Sequence, residues 1–159
     1  MDWYKRFKSK GCILKLKAET KADALDEVAR QLESAGLLDE AQGAGARKAL
    51  HAREQLASTG VGMSVAIPHV KLEGIEESVC SLAVSPAGIE WQAVDGGPVH
   101  ILFTVLRPAE ATEAHDPEDH LEMMRWIAKL ARDADFRAFA LQAKTKAELV
   151  GLLKEMSVV

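Results

Sequence analysis

Residues 58–71 read Ser-Thr-Gly-Val-Gly-Met-Ser-Val-Ala-Ile-Pro-His-Val-Lys. Pro68 fixes its own φ and pushes Ile67 into an extended conformation. Gly60 and Gly62 permit a tight backbone path upstream of it. The stretch therefore predicts a short extended run, Val65 to Ile67, that delivers the ring of His69 at its end. A histidine on so restrained a backbone suits nucleophilic chemistry. A plain surface histidine after a turn fits the same spacing, and spacing alone does not separate the two.

Working outward, the chain upstream is helical. Gly11 to Leu16 reads as a short strand. Thr20 then offers an N-cap, with Asp23 near the first turn. Ala24, Leu25, Val28, Leu32 and Ala35 fall at helical spacing, and Gly36 is a stop. A second helix is expected from about Glu40 to Leu56, weakened at its start by Gly43 and Gly45. Downstream the character is extended. Ser78 to Ser85 is apolar, Pro86-Ala87-Gly88 reads as a turn, and Ile89 to Trp91 is brief. Asp95-Gly96-Gly97-Pro98 is a turn. Val99 to Leu106 has the apolar character of a central strand. An acidic loop spans 108–119. Leu121, Met124, Ile127, Ala128 and Ala131 then mark an amphipathic helical face. Asp135 to Gln142 reads as a short helix, and Thr145-Lys146-Ala147-Glu148 as a capping box opening a last one. Strands in the middle with helices on both sides imply an α/β sandwich.

The chain has 159 residues, 48% of them hydrophobic and 28% charged, which suits one domain with one sizeable core. A net charge of −4 argues against nucleic acid as a partner. Residues 1–10 are basic and aromatic, without the apolar run of a signal peptide or membrane span. Their aromatics are expected to pack on the domain that follows, at 11–157. Cys12 and Cys80 sit in apolar runs and read as buried free thiols.

The wording of 58–69 resembles the active-site segment of the enzyme IIA domains of the fructose/mannitol/nitrogen-regulatory class, from the bacterial phosphoenolpyruvate-dependent phosphotransferase system. Other stretches carry the likeness too: Ala52-Arg53-Glu54-Gln55-Leu56, Gly88-Ile89-Glu90-Trp91, Asp95-Gly96-Gly97-Pro98-Val99, His120-Leu121, Leu130-Ala131-Arg132 and Phe136-Arg137, all in the expected order. The resemblance implies a mixed, partly antiparallel sheet flanked by helices. It implies a cytoplasmic phosphoryl-relay protein of the nitrogen-regulatory branch, needing no cofactor or metal.

Phosphoryl transfer between proteins needs a nucleophile that is also a leaving group, and imidazole serves as both near neutral pH. The resemblance makes His69 the acceptor, at Nε2, of a phosphoryl group from an HPr-type phosphocarrier protein. The other ring nitrogen then needs an orienting acceptor, often a backbone carbonyl. Arg53 matches the arginine that the family places beside the histidine, to hold a phosphoryl oxygen or steer the donor. His120 matches its second active-site histidine, giving a hydrogen bond or charge contact to the phosphoryl group. Taken without the family, Arg53 reads as a solvated helix-end charge and His120 as a residue in a solvated loop. Thr59 and the amides near Gly60 and Gly62 are either pocket-lining donors or only turn residues. Met63-Ser64 and Val70 depart from the family's usual small or glycine residues there.

His115-Asp116-Pro117-Glu118-Asp119-His120 resembles a metal cluster superficially, but Pro117 argues against helical ligand spacing. His51 and His100 read as structural. Gly60-Val61-Gly62 lacks the lysine and following helix of a phosphate loop, and Ser58 and Ser64 lack a nucleophile elbow. Trp91 and Trp126 read as packing residues. Two rival roles stay open. One is a sugar-specific IIA component that passes phosphate to a fructose/mannitol-type IIB domain. The other is a non-catalytic binding module of the same fold. No fused transporter, HPr or IIB domain accompanies the stretch, which is taken to favour a regulatory target over sugar uptake.

Overall fold

The computed structural model describes residues 2–113 and 115–157. Met1 of the N-terminal segment and Ala114 of the 108–119 loop lie outside the described residues. The spine of the sheet is β5, Val99–Pro108, and it is central as its apolar run predicts. On one side it pairs antiparallel with β4, Val79–Ile89. On the other it takes two short parallel strands in succession, β2 (Val65–Ala66) and β3 (His69–Leu72). The remaining strand, β1 (Gly60–Gly62), pairs antiparallel with β2. The sheet is mixed, as expected.

Alternation along β5 sends side chains to two cores. Ile101, Phe103 and Val105 face α3 (Pro117–Arg132), α4 (Ala134–Gln142) and α5 (Lys146–Met156). Leu102 and Leu106 face α1 (Lys21–Ser34) and α2 (Glu40–Leu56). Aromatic packing anchors the first core. Phe103 stacks on Phe136 at 5.7 Å between centroids, and Phe7 meets Phe103 edge-on at 6.1 Å. Phe7 and Trp3 also pack on Trp126, so the N-terminal aromatics lie on the domain as their composition suggests. Trp91 is fully buried.

Helix ends follow the local chemistry. Thr20 accepts from the amide of Asp23 at 3.2 Å. Asp39 and Gln42 form a reciprocal capping box at the start of α2. At α5 the Thr145 hydroxyl accepts from the Glu148 amide, while the Glu148 carboxylate takes the Lys144 amide, one residue before the box position.

Three expectations need correction. Residues 11–16 form no named strand: Ser9–Gly11 is a 3₁₀ turn, and Ile13 makes a single parallel bridge to Ala83. Pro86-Ala87-Gly88 does not reverse the chain. Val84 faces Ile101 and Ile89 faces Val99, so the segment bulges out of a continuous β4, with the ring of His100 held on the Ser85 carbonyl at 3.0 Å. On α3 the buried stripe is rotated from the one read in the sequence. Met123, Trp126, Ile127, Leu130 and Ala131 are inside, and Leu121 is exposed. The aromatic partners of Trp126, Trp3 and Phe7, are far away in sequence.

Cys12 and Cys80 are free and buried, and burial pushes both thiols up, which leaves them inert. Among the described residues, no helix is long and apolar enough to cross a membrane.

Candidate phosphotransfer site

The segment opened by Gly60 folds as a two-residue hairpin. Gly62 pairs with Val65, and the loop residues Met63 and Ser64 both have positive φ, 55° and 68°. A two-residue I′ turn demands that, and glycine or asparagine is the usual occupant. The departure at 63–64 thus leaves two side chains in a backbone region they resist. Asp95 supports the turn by accepting from the Met63 amide through one oxygen and the Gly97 amide through the other, each at 3.0 Å. The Gly97 amide, then that of Met63, hold the Asp95 carboxyl below the usual carboxylate range. Gly60 sits where a Cβ would come within 2.9 Å of the Ala93 backbone, so only glycine lets β1 lie against residues 91–94.

After the hairpin, Val65 and Ala66 pair with Ile101 and Leu102, and His69 resumes opposite Val105. The register with β5 is kept across Ile67-Pro68. Pro68 has no N–H to donate there, but its carbonyl accepts from the Val105 amide at 2.9 Å. Paired residues share a sheet face, and Val105 belongs to the core under α3 to α5. His69 is therefore half-buried on the α3 side of the sheet. Its Nδ1 lies 2.9 Å from the carbonyl oxygen of Ile67. That carbonyl can only accept, so Nδ1 carries the proton and donates it. Nε2 is left with its lone pair.

His120 meets this face from the first turn of α3. Asp116 caps the helix on the amide of Glu118, and Pro117 takes the first helical position. Pro117 thus opens the helix rather than breaking it. His120 is 8% exposed, and its Nδ1 is buried with no hydrogen-bond partner among the described residues. It is no solvated loop residue. Burial, then the charges of Arg107, His115 and His69, push its pKa down to about 4. It stands as a neutral ring at neutral pH. His115 packs edge-on to His120 at 6.0 Å and is also held below its ordinary value, by burial and then by Arg107. Among the described residues, no three His, Cys, Asp or Glu side chains gather as metal ligands.

Arg53 ends α2 and donates from Nη1 to the Ala57 carbonyl at 2.8 Å, and no hydrogen bond among the described residues ties it to His69. The Thr59 amide and hydroxyl both donate to Glu54, and the Gly60 amide donates to Ser58 Oγ at 3.1 Å. These donors have partners inside the protein. Arg107 went unnoticed there. It lies on β5 two residues beyond Val105, on the same face as His69. The signal was present, a lone cation ending the apolar run of 99–106.

With the geometry in place, the family model described as "Phosphoenolpyruvate-dependent sugar phosphotransferase system, EIIA 2" matches residues 6–156. The chain belongs to that EIIA 2 family. Among curated relatives, a nitrogen regulatory protein of Pseudomonas aeruginosa is 37% identical over 107 residues, covering 67% of this chain and 66% of that protein. The matched part thus falls just short of two thirds of that relative's length. A fructose-specific EIIA component of Haloferax volcanii is 31% identical over 137 residues, covering 86% of this chain and 84% of that protein. Among solved structures, the nitrogen regulatory protein IIA-Ntr of Neisseria meningitidis superposes with a TM-score of 0.77 at 25% identity, over 94% of this chain and 97% of that one. This EIIA 2 domain shares the fold expected from its sequence, and family membership supports a phosphotransferase role.

Proposed function

We propose that His69 accepts a phosphoryl group at Nε2 from an HPr-type phosphocarrier protein and passes it on. The observation that carries this reading is the Nδ1 bond to the Ile67 carbonyl at 2.9 Å, which fixes the one tautomer whose Nε2 lone pair is free. No base is needed at the attacking nitrogen. The Nε2–phosphorus bond forms as the donor's nitrogen–phosphorus bond breaks. Nδ1 keeps its proton, and the Ile67 carbonyl dipole stabilises the positive charge that the ring gains.

His120 enters as a neutral ring. With its buried Nδ1 unpaired, the less costly placement of its proton is on Nε2, where it is free to donate to a phosphoryl oxygen. Arg107 adds positive charge on the same face, and Arg53 keeps guanidinium donors beyond the one given to Ala57. The exposed apolar residues Leu56, Val61, Met63 and Val94, on and around the hairpin, suit contact with a partner protein.

The nitrogen-regulatory relative supports a cytoplasmic relay whose phosphorylation state selects a regulatory target. The fructose-specific relative favours a second reading, delivery to a IIB domain. Incubation with phosphoenolpyruvate, enzyme I and HPr, followed by intact-mass measurement, tests the proposal. One phosphoryl adduct on the parent and none on His69→Ala is expected. No adduct on the parent, with HPr shown to be charged, would overturn it and leave the binding-module role. Chasing the adduct with a IIB domain then separates the two relay readings.

A further inference from the structure

Glu54 is a carboxylate in the last turn of α2, at the negative end of the helix dipole, with its side chain only 6% exposed. Both the dipole and the burial oppose a charge there, so the site must be built to hold it. Four donors converge on it. Oε2 accepts from the Thr59 amide at 2.8 Å and from Lys21 Nζ at 3.3 Å. Oε1 accepts from the Thr59 hydroxyl and from Trp91 Nε1, the latter at 3.2 Å. Trp91 Nε1 shares its hydrogen with Thr59 Oγ1 at 3.1 Å, and Lys21 lies over the Trp91 ring at 5.8 Å. The carboxylate therefore ties together the start of α1, the end of α2, Thr59 and Trp91.

Thr59 is the link to the histidine. Its carbonyl accepts from the Ile67 amide at 3.0 Å, and the Ile67 carbonyl is the acceptor for His69 Nδ1. The Ile67 N–H and C=O lie in adjacent rigid peptide planes joined at its Cα, so Thr59 fixes one plane and the Ile67 dihedrals carry its position to the other. Pro68 restricts Ile67 to extended backbone, which narrows the freedom that would otherwise absorb a shift.

We propose that Glu54 is a positioning residue for phosphotransfer, acting through Thr59 and Ile67 to hold His69 as the Nδ1–H tautomer. This rests on the reading of His69 as the acceptor. Glu54 itself touches neither His69 nor the phosphoryl group.

The test is Glu54→Gln, nearly isosteric, which replaces one acceptor oxygen with an NH₂ that opposes the donors around it. Long-range ¹H–¹⁵N correlation of the histidine rings should show a single Nδ1–H tautomer at His69 in the parent and a mixture in the variant. The rate constant for transfer from phosphorylated HPr should fall at least ten-fold, with the KM for HPr unchanged within two-fold, because the buried carboxylate does not meet the partner. A folded variant with the parent tautomer and the parent rate would overturn the proposal. So would a lower melting temperature with both readouts unmoved, since that is a purely structural role. Should Glu54→Gln not fold, Thr59→Val breaks the same relay at the hydroxyl and Thr59→Ser restores it. Equal tautomer populations and rates in these two would also overturn it. If the parent never takes phosphate, the acceptor reading fails, while the tautomer readout still decides whether Glu54 positions the ring.

Discussion

The two histidines of the site are held in opposite ways. His69 is fixed by its own neighbourhood: Pro68 before it, the Ile67 carbonyl on its Nδ1, and the pairing with Val105 beside it. His120 is fixed by what packs around it, and its Nδ1 finds no hydrogen-bond partner among the described residues. One ring is aimed by covalent geometry and hydrogen bonds, and the other is neutralised by burial and surrounding positive charge. The contrast suits the roles proposed for them. A nucleophile needs one defined tautomer, whereas a neutral donor needs only a dry place and a free N–H.

The comparison breaks first at the hairpin. Gly60→Val puts carbon where Ala93 backbone already lies, and overpacking there should cost about 3 kcal/mol. Urea denaturation would measure the loss, and transfer should fall with it, because β1 no longer holds Thr59 in place.

A second effect falls on His120 alone. Its folded pKa, about 4, lies below the ordinary 6.5, so the unfolded chain binds the proton more readily between those values. Stability present above pH 6.5 is therefore lost as the pH falls toward 4, by about 2 kcal/mol between 6.5 and 4.5. Unfolding curves at the two pH values, for the parent and for His120→Gln, would check this. The variant should lose that part of the slope.

Smaller effects sharpen the contrast. Asp116→Ala removes the cap of α3 and should cost about 1 kcal/mol in thermal or chemical unfolding. It loosens His120 without touching the His69 tautomer. Ser64→Gly, at φ 68°, should stabilise by about 0.5 kcal/mol, relief of backbone strain being partly offset by greater freedom of the unfolded chain. Calorimetry at neutral pH would resolve the sign.

The same division explains what the sequence discloses. Caps, the extents of α1 and α2, the central strand and the orienting carbonyl behind His69 are set by residues near in sequence, so they are legible there. Pro86-Ala87-Gly88 reads as a turn because its residues are turn formers, yet pairing with Val99 on the far side keeps β4 continuous. The buried stripe on α3 includes Trp126, which packs on Trp3 and Phe7, and no local window contains those partners. His120 is buried on the same helix, and its loss of charge follows from that burial first. Arg107 was visible as a lone cation, but only the register of β3 with β5 shows that it shares a face with His69. Glu54 stood within a quoted stretch, and its meaning waited on Thr59 and Trp91 being brought to it.

The most direct test of the central claim asks which nitrogen carries phosphorus. The ¹⁵N-labelled protein, phosphorylated through enzyme I and HPr, would be read by long-range ¹H–¹⁵N correlation together with ³¹P–¹⁵N coupling. Coupling at Nε2 of His69, with the proton still on Nδ1, is the predicted result. Phosphorus on Nδ1, or on another histidine, would contradict the account.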